Sequence, residues 1–229
     1  DNYQNEIHFD SSGVVEKVLP EGQYTVYVGK WGYVNYCSVA NVDSLGDTVD
    51  INLTEGFYDD FSANQGWTTS AVKEDVVWQR TQPRPSFDNS TGVQYDPSVD
   101  ASSTECGDWA FCTGINENLS ASQTNVNWTN YLVSPEFEIL SSNTDATISF
   151  SYWLALSEGS SDTVKIGLIQ DKDTVYNKKY TVHDIMLEWK KTSFSVNEIF
   201  NTPGVFKFIV RVTDDLNPWH IVDFAIDEF

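Results

Sequence analysis

The sequence predicts an all-β protein, built as an antiparallel β-sandwich of the jelly-roll type. Three observations favour this fold. Short segments alternate bulky apolar and polar side chains at a period of two, polar turns separate these segments, and no helical period of any length interrupts them. About ten such strands are typical of two packed antiparallel sheets that exchange strands in a jelly roll.

The composition is that of a globular chain with a strong negative charge. The 229 residues include 34 acidic and 13 basic side chains, which gives a net charge of −21, and 14% of them are aromatic. Contact with phosphates needs clustered Lys and Arg, so neither nucleic-acid binding nor adsorption to an anionic membrane is expected. The acidity is consistent both with simple solubility and with the binding of divalent cations.

Residues 1–55 carry the first series of short strands. Strands are expected at residues 14–18, 23–28, 34–39 and 47–53, where bulky and polar side chains alternate between turn signals. The chain begins at Asp1 without a Met. We therefore expect it to be part of a longer, processed precursor.

Residues 56–229 carry a second and larger series of strands. The clearest strand is expected at residues 146–156, where Ile148, Phe150 and Tyr152 begin one apolar face. Further strands are expected at residues 67–70, 76–80, 108–113, 129–139, 162–170, 174–181, 188–196, 205–212 and 220–229.

A long connection, residues 83–107, interrupts this second series. Connections of that length are uncommon inside a compact domain, and they are usually functional or held down by an ion or a disulfide. Asp88, Asp96 and Asp100 in this connection allow two interpretations, a second cation site or solvated turn residues. Their spacing lacks the repeated pattern of a calcium-binding loop, which favours solvated turns.

The three cysteines are too scattered for a closed tetrahedral metal site. Cys106 and Cys112 are separated by five residues and can close a small loop as a disulfide. That pairing leaves Cys37 alone, as a small buried apolar side chain. The sequence does not decide the pairing.

The N-terminal region resembles a known domain family. The segment FDSSGVVEKVLPEGQYTVYVGKWGY, followed by DTVDINL, is similar to the carboxypeptidase regulatory-like (transthyretin-like) domain. The resemblance implies that residues 1–55 form a small transthyretin-like β-sandwich that lacks its first strands.

Residues 56–229 resemble the jelly-roll modules found at the C-terminal ends of secreted bacterial peptidases. The segments YDDFSANQGWTT, VVWQRTQP, GDWAFCTG, NYLVSPEFEI, ISFSYWLAL and FAIDEF follow the order seen in MAM domains and in gingipain cleaved-adhesin domains. The resemblance implies a jelly-roll domain over residues 56–229, in which the first and last strands lie side by side.

This arrangement brings two acidic pairs together, Asp59 with Asp60 and Asp227 with Glu228. Four ionised carboxylates cannot crowd together without a cation, because like charges raise each other's pKa. Calcium suits such a place, since it accepts six to eight oxygen ligands with loose geometry. Related modules hold a structural calcium there, and the resemblance implies Asp60, Asp227 and Asp108 as ligands beside Asp59 and Glu228. The alternative is that these carboxylates are solvated turn residues.

The eight tryptophans raise a second binding hypothesis, because indole rings stack on sugars. Most tryptophans of a sandwich fill its core or cover its ends. Trp128 lies in an Asn/Thr-rich turn and Trp153 interrupts a polar strand face, so these two are the expected exposed platform for a ligand.

No catalytic pattern is present in the sequence. The histidines are isolated, and the chain contains no zinc-peptidase, nucleophile-elbow or phosphate-loop motif. The resemblances therefore imply a non-catalytic accessory, binding or adhesion region of an extracellular or cell-surface peptidase. The catalytic domain of that peptidase is expected to be zinc-dependent and to be one partner of this chain. Its other partner is expected to be a protein or glycan ligand, and no membrane insertion is expected. The alternative is a carbohydrate-binding module of a secreted polysaccharide-degrading protein.

Overall fold

The computed structural model describes residues 6–9, 12–46, 48–73, 78–102, 107–115, 120–121, 126, 128–140, 146–200, 203–214 and 220–229. In this part of the chain thirteen β-strands form three antiparallel sheets. In chain order they are β1 (Gly22–Val28), β2 (Tyr36–Val42), β3 (Thr68–Ala71), β4 (Trp78–Thr81), β5 (Ala110–Thr113), β6 (Thr129–Val133), β7 (Phe137–Ile139), β8 (Thr147–Leu156), β9 (Thr163–Gln170), β10 (Asp173–Tyr180), β11 (Met186–Ser195), β12 (Gly204–Thr213) and β13 (Val222–Asp227).

Two large sheets form the sandwich. The front sheet has the strand order β10-β9-β12-β6-β3, with β7 paired to β12, and the back sheet has the order β11-β8-β13-β5-β4. Most neighbouring strands are far apart in sequence, as a jelly roll requires. The predicted all-β, antiparallel sandwich is confirmed. Among the described helical segments, none is long and apolar enough to cross a membrane.

The core lies between the two sheets and is built by the predicted alternation. The apolar face of β8 is buried at Ile148, Phe150 and Leu154, and β12 buries its even-numbered residues from Phe206 to Val212. Complete burial of one such side chain contributes about 1.5–3 kcal/mol, so these strands hold the two sheets together. The break predicted near Ser134-Pro135 separates β6 from β7.

The N-terminal region contributes a two-stranded sheet. The strands expected at residues 23–28 and 34–39 are confirmed as β1 and β2, which pair from Gly22 with Val42 to Val28 with Tyr36. Residues 14–18 and 48–53 have no strand, contrary to expectation, and Asp47 lies outside the described residues. An apolar alternation forms a strand only beside a partner, and Val18 is 95% exposed.

This region packs directly against the sandwich. The Trp31 indole Nε1 donates a hydrogen bond to the Glu136 carbonyl oxygen at 2.6 Å, and its ring stacks on Phe229. An added Cβ at Gly29 would lie 2.7 Å from the Cβ of Ala63, so the two backbones approach closely. The division into domains at 1–55 and 56–229 stays a prediction.

The cysteines differ from the expected arrangement. Cys37 is disulfide-bonded, so it is not the solitary thiol, whereas Cys112 on β5 is free and fully buried. Cys112 packs with Ala110, Trp153 and Ala225 on the outer side of the back sheet, which explains its burial without a bond. Cys106 lies outside the described residues.

We expect Gly167→Ala to destabilise the front sheet. An added Cβ would clash with the Val175 carbonyl oxygen and would lie 2.7 Å from the Tyr176 Cα, both on the neighbouring strand β10. Overpacking of this kind costs about 1–3 kcal/mol, measurable by urea denaturation. Gly22→Ala is the matched control, because its nearest atom lies 3.8 Å away. Equal stability of the two variants would contradict the close approach of β10 to β9.

Candidate functional site

The two ends of the sandwich segment meet, as predicted. Asp59 and Phe229 exchange two backbone hydrogen bonds, with N···O distances of 2.8 and 3.0 Å. We call this pairing the closure. It brings the stretch after Gly56 against the end of β13, and so brings the two predicted acidic pairs to one side of the molecule.

Aspartate side chains shape the backbone on the first side of the closure. The backbone N–H groups of Phe61 and Ser62 donate to the carboxylates of Asp59 and Asp60 at 2.9 and 3.0 Å. Such turns let the chain adopt unusual backbone angles. Phe61 is left-handed with φ of 58°, and Glu228 on the other side has φ of 50°. Bulky residues rarely adopt these angles, so the closure is conformationally strained.

Asp59 faces the protein interior. It is 1% exposed, and its second carboxylate oxygen accepts a hydrogen bond from the Trp67 indole at 2.8 Å. Burial raises the pKa of Asp59 to about 6, although the hydrogen bonds from Phe61 and Trp67 act in the opposite direction. Since this pKa exceeds the value of 3.8 expected for an unfolded chain, the folded state holds the proton more tightly. The ionised form at pH 7 therefore costs roughly 3 kcal/mol, and this cost disappears below about pH 4.

Asp227 and Glu228 lie at the other side of the closure. Asp227 is fully buried, and one of its carboxylate oxygens accepts a hydrogen bond from the Ala101 backbone N–H at 2.8 Å. Glu228 accepts from the Ser151 hydroxyl at 2.6 Å and lies 3.9 Å from the Lys191 ammonium. The bond from Ala101 ties the long connection to the last strand.

Asp100 joins this acidic group, which the sequence did not predict. Its Oδ2 is buried and accepts no hydrogen bond. Burial raises the pKa of Asp100 to about 6, and the negative charges of Asp108 and Glu228 add to the effect. Asp100 is therefore not the solvated turn residue that its loop position suggested.

Asp60 and Asp108 both lie near Tyr27, which belongs to β1 of the N-terminal sheet. Asp60 is buried and accepts a hydrogen bond from the Asn35 amide at 2.5 Å, whereas Asp108 is exposed. Both charges act on Tyr27, whose pKa is raised mainly by burial and further by these two aspartates. Across the described residues, no three His, Cys, Asp or Glu side chains are arranged to hold a metal ion.

The long connection covers the outer face of the back sheet. Its residues 82–102, which we call the cover loop, accept indole hydrogen bonds at two carbonyl oxygens. The bonds run from Trp153 to Tyr95 at 2.5 Å and from Trp189 to Val99 at 2.8 Å. Trp153 is consequently only 8% exposed, so the expectation that it forms an exposed platform is wrong. Sequence alternation placed Trp153 on the outer face correctly but could not show that a loop covers that face.

Beneath the cover loop lies a buried pair of carboxyl groups, Asp96 and Asp223. Neither oxygen of Asp223 has a hydrogen-bond partner, and Asp96 accepts from the Ser86 hydroxyl at 2.5 Å. Burial, aided by the charge of Asp96, raises the pKa of Asp223 well above its usual range. Burial therefore favours the neutral form of the Asp223 carboxyl. Asp88, in contrast, is half-buried, and its carboxylate accepts hydrogen bonds from the backbone N–H groups of Ser90 and Thr91 in a turn.

Trp128 is exposed, as expected. Its side chain is 38% exposed, immediately before β6, and the Lys73 ammonium lies 3.2 Å from the ring centroid. Its backbone φ is 65°, an uncommon angle for an aromatic residue. Such backbone strain clusters at ligand sites, which is consistent with the predicted platform at this position.

The outer face of the front sheet carries a second aromatic group, which the sequence did not predict. Tyr131 on β6 lies directly opposite Arg211 on β12, and Arg211 lies opposite Lys165 on β9. Lys165 in turn lies opposite Lys179 on β10, and Tyr176 hydrogen-bonds with Arg211. We call Tyr131, Lys165, Tyr176, Lys179 and Arg211 the front-face cluster. All except the exposed Lys179 are half-buried.

The side chains of this cluster contact each other. Burial raises the pKa of Tyr176, Tyr131 adds to this rise, and the guanidinium of Arg211 opposes it. The Lys165 ammonium lies 5.8 Å from the centroid of the Tyr176 ring. The cluster therefore combines aromatic rings, hydroxyl groups and cations on one sheet face, a combination that can stack on a flat ligand and donate hydrogen bonds to it.

Comparison with known proteins gives structural neighbours only. No family model and no curated protein matches the sequence. One similar solved structure is that of TmCBM61 in complex with β-1,4-galactotriose, with 14% identity, a TM-score of 0.37, and coverage of 74% of this chain and 87% of that chain. Another comes from work on the promiscuous specificity of carbohydrate-binding modules of the β-sandwich superfamily, with 12% identity, a TM-score of 0.39, and coverage of 94% of this chain and 77% of that chain. At these TM-scores neither neighbour identifies a ligand for this chain.

We expect the Asp59 carboxyl to titrate with a midpoint of about 6, measurable by carbon-13 NMR of its side chain. Trp67→Phe should raise the midpoint further, because the indole hydrogen bond favours the ionised form. Trp189→Phe is the control, since its indole bonds Val99 and should leave the midpoint unchanged. A wild-type midpoint near 4 would show that Asp59 is not buried as described.

Proposed function

We propose that this chain is a non-catalytic carbohydrate-binding module, with the front-face cluster as its glycan platform. The observation that carries the proposal is the position of Arg211, opposite Tyr131 and hydrogen-bonded to Tyr176. Sugar rings present apolar C–H faces that pack on aromatic rings, while their hydroxyl groups accept hydrogen bonds from a guanidinium. Rigid sheet strands hold these groups in place, which suits a binding site.

A binding module of this kind serves as an accessory region of a larger secreted or cell-surface protein. Its catalytic partner is either a peptidase or a polysaccharide-degrading enzyme. The glycan platform favours the second, because such a module then holds the enzyme at its own substrate. On its own the chain should turn over neither glycans nor peptides.

We expect Tyr131→Ala to weaken glycan binding about tenfold or more, because the variant loses an aromatic contact worth about 1.5–3 kcal/mol. Affinity electrophoresis against a panel of soluble glycans, followed by calorimetry on those that bind, measures the change. Tyr36→Ala is a matched control, because Tyr36 is an exposed tyrosine of the N-terminal sheet. Trp128→Ala tests whether the predicted tryptophan extends the platform. A chain that binds no glycan would rule the proposal out.

We also propose that a structural calcium ion binds at the acidic group beside the closure and draws its carboxylates into place, with Asp100, Asp108, Asp227 and Glu228 as ligands and Asp60 at its rim. In the described part of the ion-free chain no three of these side chains are arranged around one ion position. Support comes from the buried Asp100 Oδ2, which lacks a hydrogen bond, and from the neighbouring charges that raise the pKa of Asp100. Hard oxygen donors of this type suit calcium, whose coordination geometry is loose enough to draw the carboxylates together. Asp59 and Asp227 are the weakest of the predicted ligands, since both oxygens of each accept hydrogen bonds within the protein. When bound, the ion would offset the repulsion between these carboxylates.

We expect calcium at about 100 times its Kd to raise the melting temperature by roughly 5–10 °C over a chelated sample. Asp100→Asn should abolish this gain. In chelator the same variant should be at least as stable as the wild type, because it removes a charge that Asp108 and Glu228 repel. Asp43→Asn is the matched control, since Asp43 is exposed and the amide oxygen of the variant can still accept the turn hydrogen bond from the Leu45 backbone N–H. Identical melting curves with and without calcium would remove the metal from the proposal.

A further inference from the structure

We propose that the glycan bound by the front-face cluster is acidic, a chain of uronic acid units whose carboxylates meet Arg211, Lys165 and Lys179. This inference rests on the proposed glycan-binding function and names its ligand class.

The charge distribution supports an anionic ligand. The chain carries 34 acidic residues, yet the front-sheet strands β3, β6, β9 and β12 contain no Asp or Glu. The same four strands contain Lys165, Lys207 and Arg211. The other two strands of the sheet add two lysines from β10 and two acids, Asp173 on β10 and Glu138 on β7, so the sheet carries five cations against two acids. The front sheet is therefore locally basic in a protein whose net charge is −21.

The pairing register places three of these cations opposite each other on neighbouring strands. Arg211 lies directly opposite Lys165, and Lys165 lies directly opposite Lys179, so three cations form one row across three neighbouring strands. Like charges directly opposite each other destabilise a sheet. A row of this kind costs stability in the free protein, and an anion bound across it would remove the repulsion.

No counterion among the described residues offsets the row. In this part of the chain, ion pairs of Lys and Arg form at Arg80, Lys191 and Lys207, and none forms at Arg211, Lys165 or Lys179. Lys207 shows the contrast, because it belongs to the same sheet and lies 3.2 Å from Glu136. The Nε of Arg211 is buried and lacks a hydrogen-bond partner, while the guanidinium also bonds Tyr176. No described carboxylate neutralises the charge of this guanidinium, which a carboxylate of the ligand would do.

The spacing of the row fits a glycan with one charge per sugar unit. Neighbouring strands lie about 4.8 Å apart, a distance comparable with one sugar unit of an extended chain. A polyuronate that crosses the strands would present successive carboxylates to successive cations. Arg211 would take one carboxylate through two parallel hydrogen bonds, and Tyr131 lies at the end of the same row, where the next sugar ring would pack.

The same features disfavour nucleic acid. A DNA duplex carries one charge per about 1.7 Å of its axis, so it needs a broader basic surface than three cations supply. The remaining surface of this chain is strongly acidic and repels a densely charged polymer. The repulsion of a sparsely charged glycan is weaker, because salt screens charges beyond about 8 Å at physiological ionic strength.

The test compares an oligogalacturonate hexamer with its fully methyl-esterified counterpart and with single-stranded DNA, by calorimetry in chelator. We expect the acidic hexamer to bind at least about tenfold more tightly than the ester, with an affinity that falls as salt rises. Lys165→Gln should weaken binding of the acid about tenfold and leave the ester unaffected, whereas Arg211→Gln should weaken both, and the acid more, because the guanidinium also donates to glycan hydroxyls. Lys172→Gln is the matched control, because Lys172 lies in the exposed turn between β9 and β10.

The melting temperature distinguishes a ligand-binding role of these cations from a structural role. Removing one cation of the row relieves repulsion, so both variants should melt at or above the wild-type temperature while they lose affinity. Equal binding of acid and ester, with Tyr131→Ala still harmful, would overturn the acidic ligand and leave the glycan platform intact. Binding of neither would overturn both proposals, and tighter binding of the DNA would overturn the choice of a glycan.

Discussion

The exchange of two hydrogen bonds between Asp59 and Phe229 is the constraint on which the rest of the structure depends. It aligns the two ends of the sandwich segment and places the Phe229 ring against both Trp31 and Trp67. Trp67 in turn holds the buried carboxylate of Asp59, so one interaction links backbone pairing, aromatic packing and a buried charge. The indole and backbone donors stabilise the ionised Asp59 carboxylate and so offset part of the free-energy cost of its desolvation.

The two outer faces of the sandwich have opposite characters. The cover loop seals the back sheet by receiving indole hydrogen bonds from Trp153 and Trp189, and it buries the Asp96–Asp223 pair. On the front sheet Tyr131 and Arg211 remain half-exposed at the surface. Both faces use the same period-two alternation, but only the back face is covered by a loop among the described residues. The closure and its acidic group lie beside β13 in the back sheet. The proposed metal site and the proposed glycan site are therefore on different sheets.

Local alternation was sufficient to predict the sandwich, since the buried faces of β8 and β12 follow directly from it. The meeting of Asp59 with the chain end followed from the family resemblance. Three features required the folded chain. Asp100 and Trp153 depend on the path of the cover loop, which no periodic pattern encodes. Residues 14–18 and 48–53 lack strands because alternation does not report whether a partner strand is present. The front-face cluster gathers residues from four strands that only the topology makes neighbours, although the absence of acids from three of them, β6, β9 and β12, is visible in the sequence.

The free cysteine beneath the cover loop has a consequence for dynamics. Cys112 is fully buried, and burial together with the charges of Asp96, Asp227 and Asp223 raises the pKa of its thiol well above the usual range. Both effects suppress the reactive thiolate, so the thiol reacts only when the loop lifts from β5. The rate at which a thiol reagent modifies Cys112 therefore measures the free energy of local opening of this one loop, separately from the unfolding of the whole sandwich.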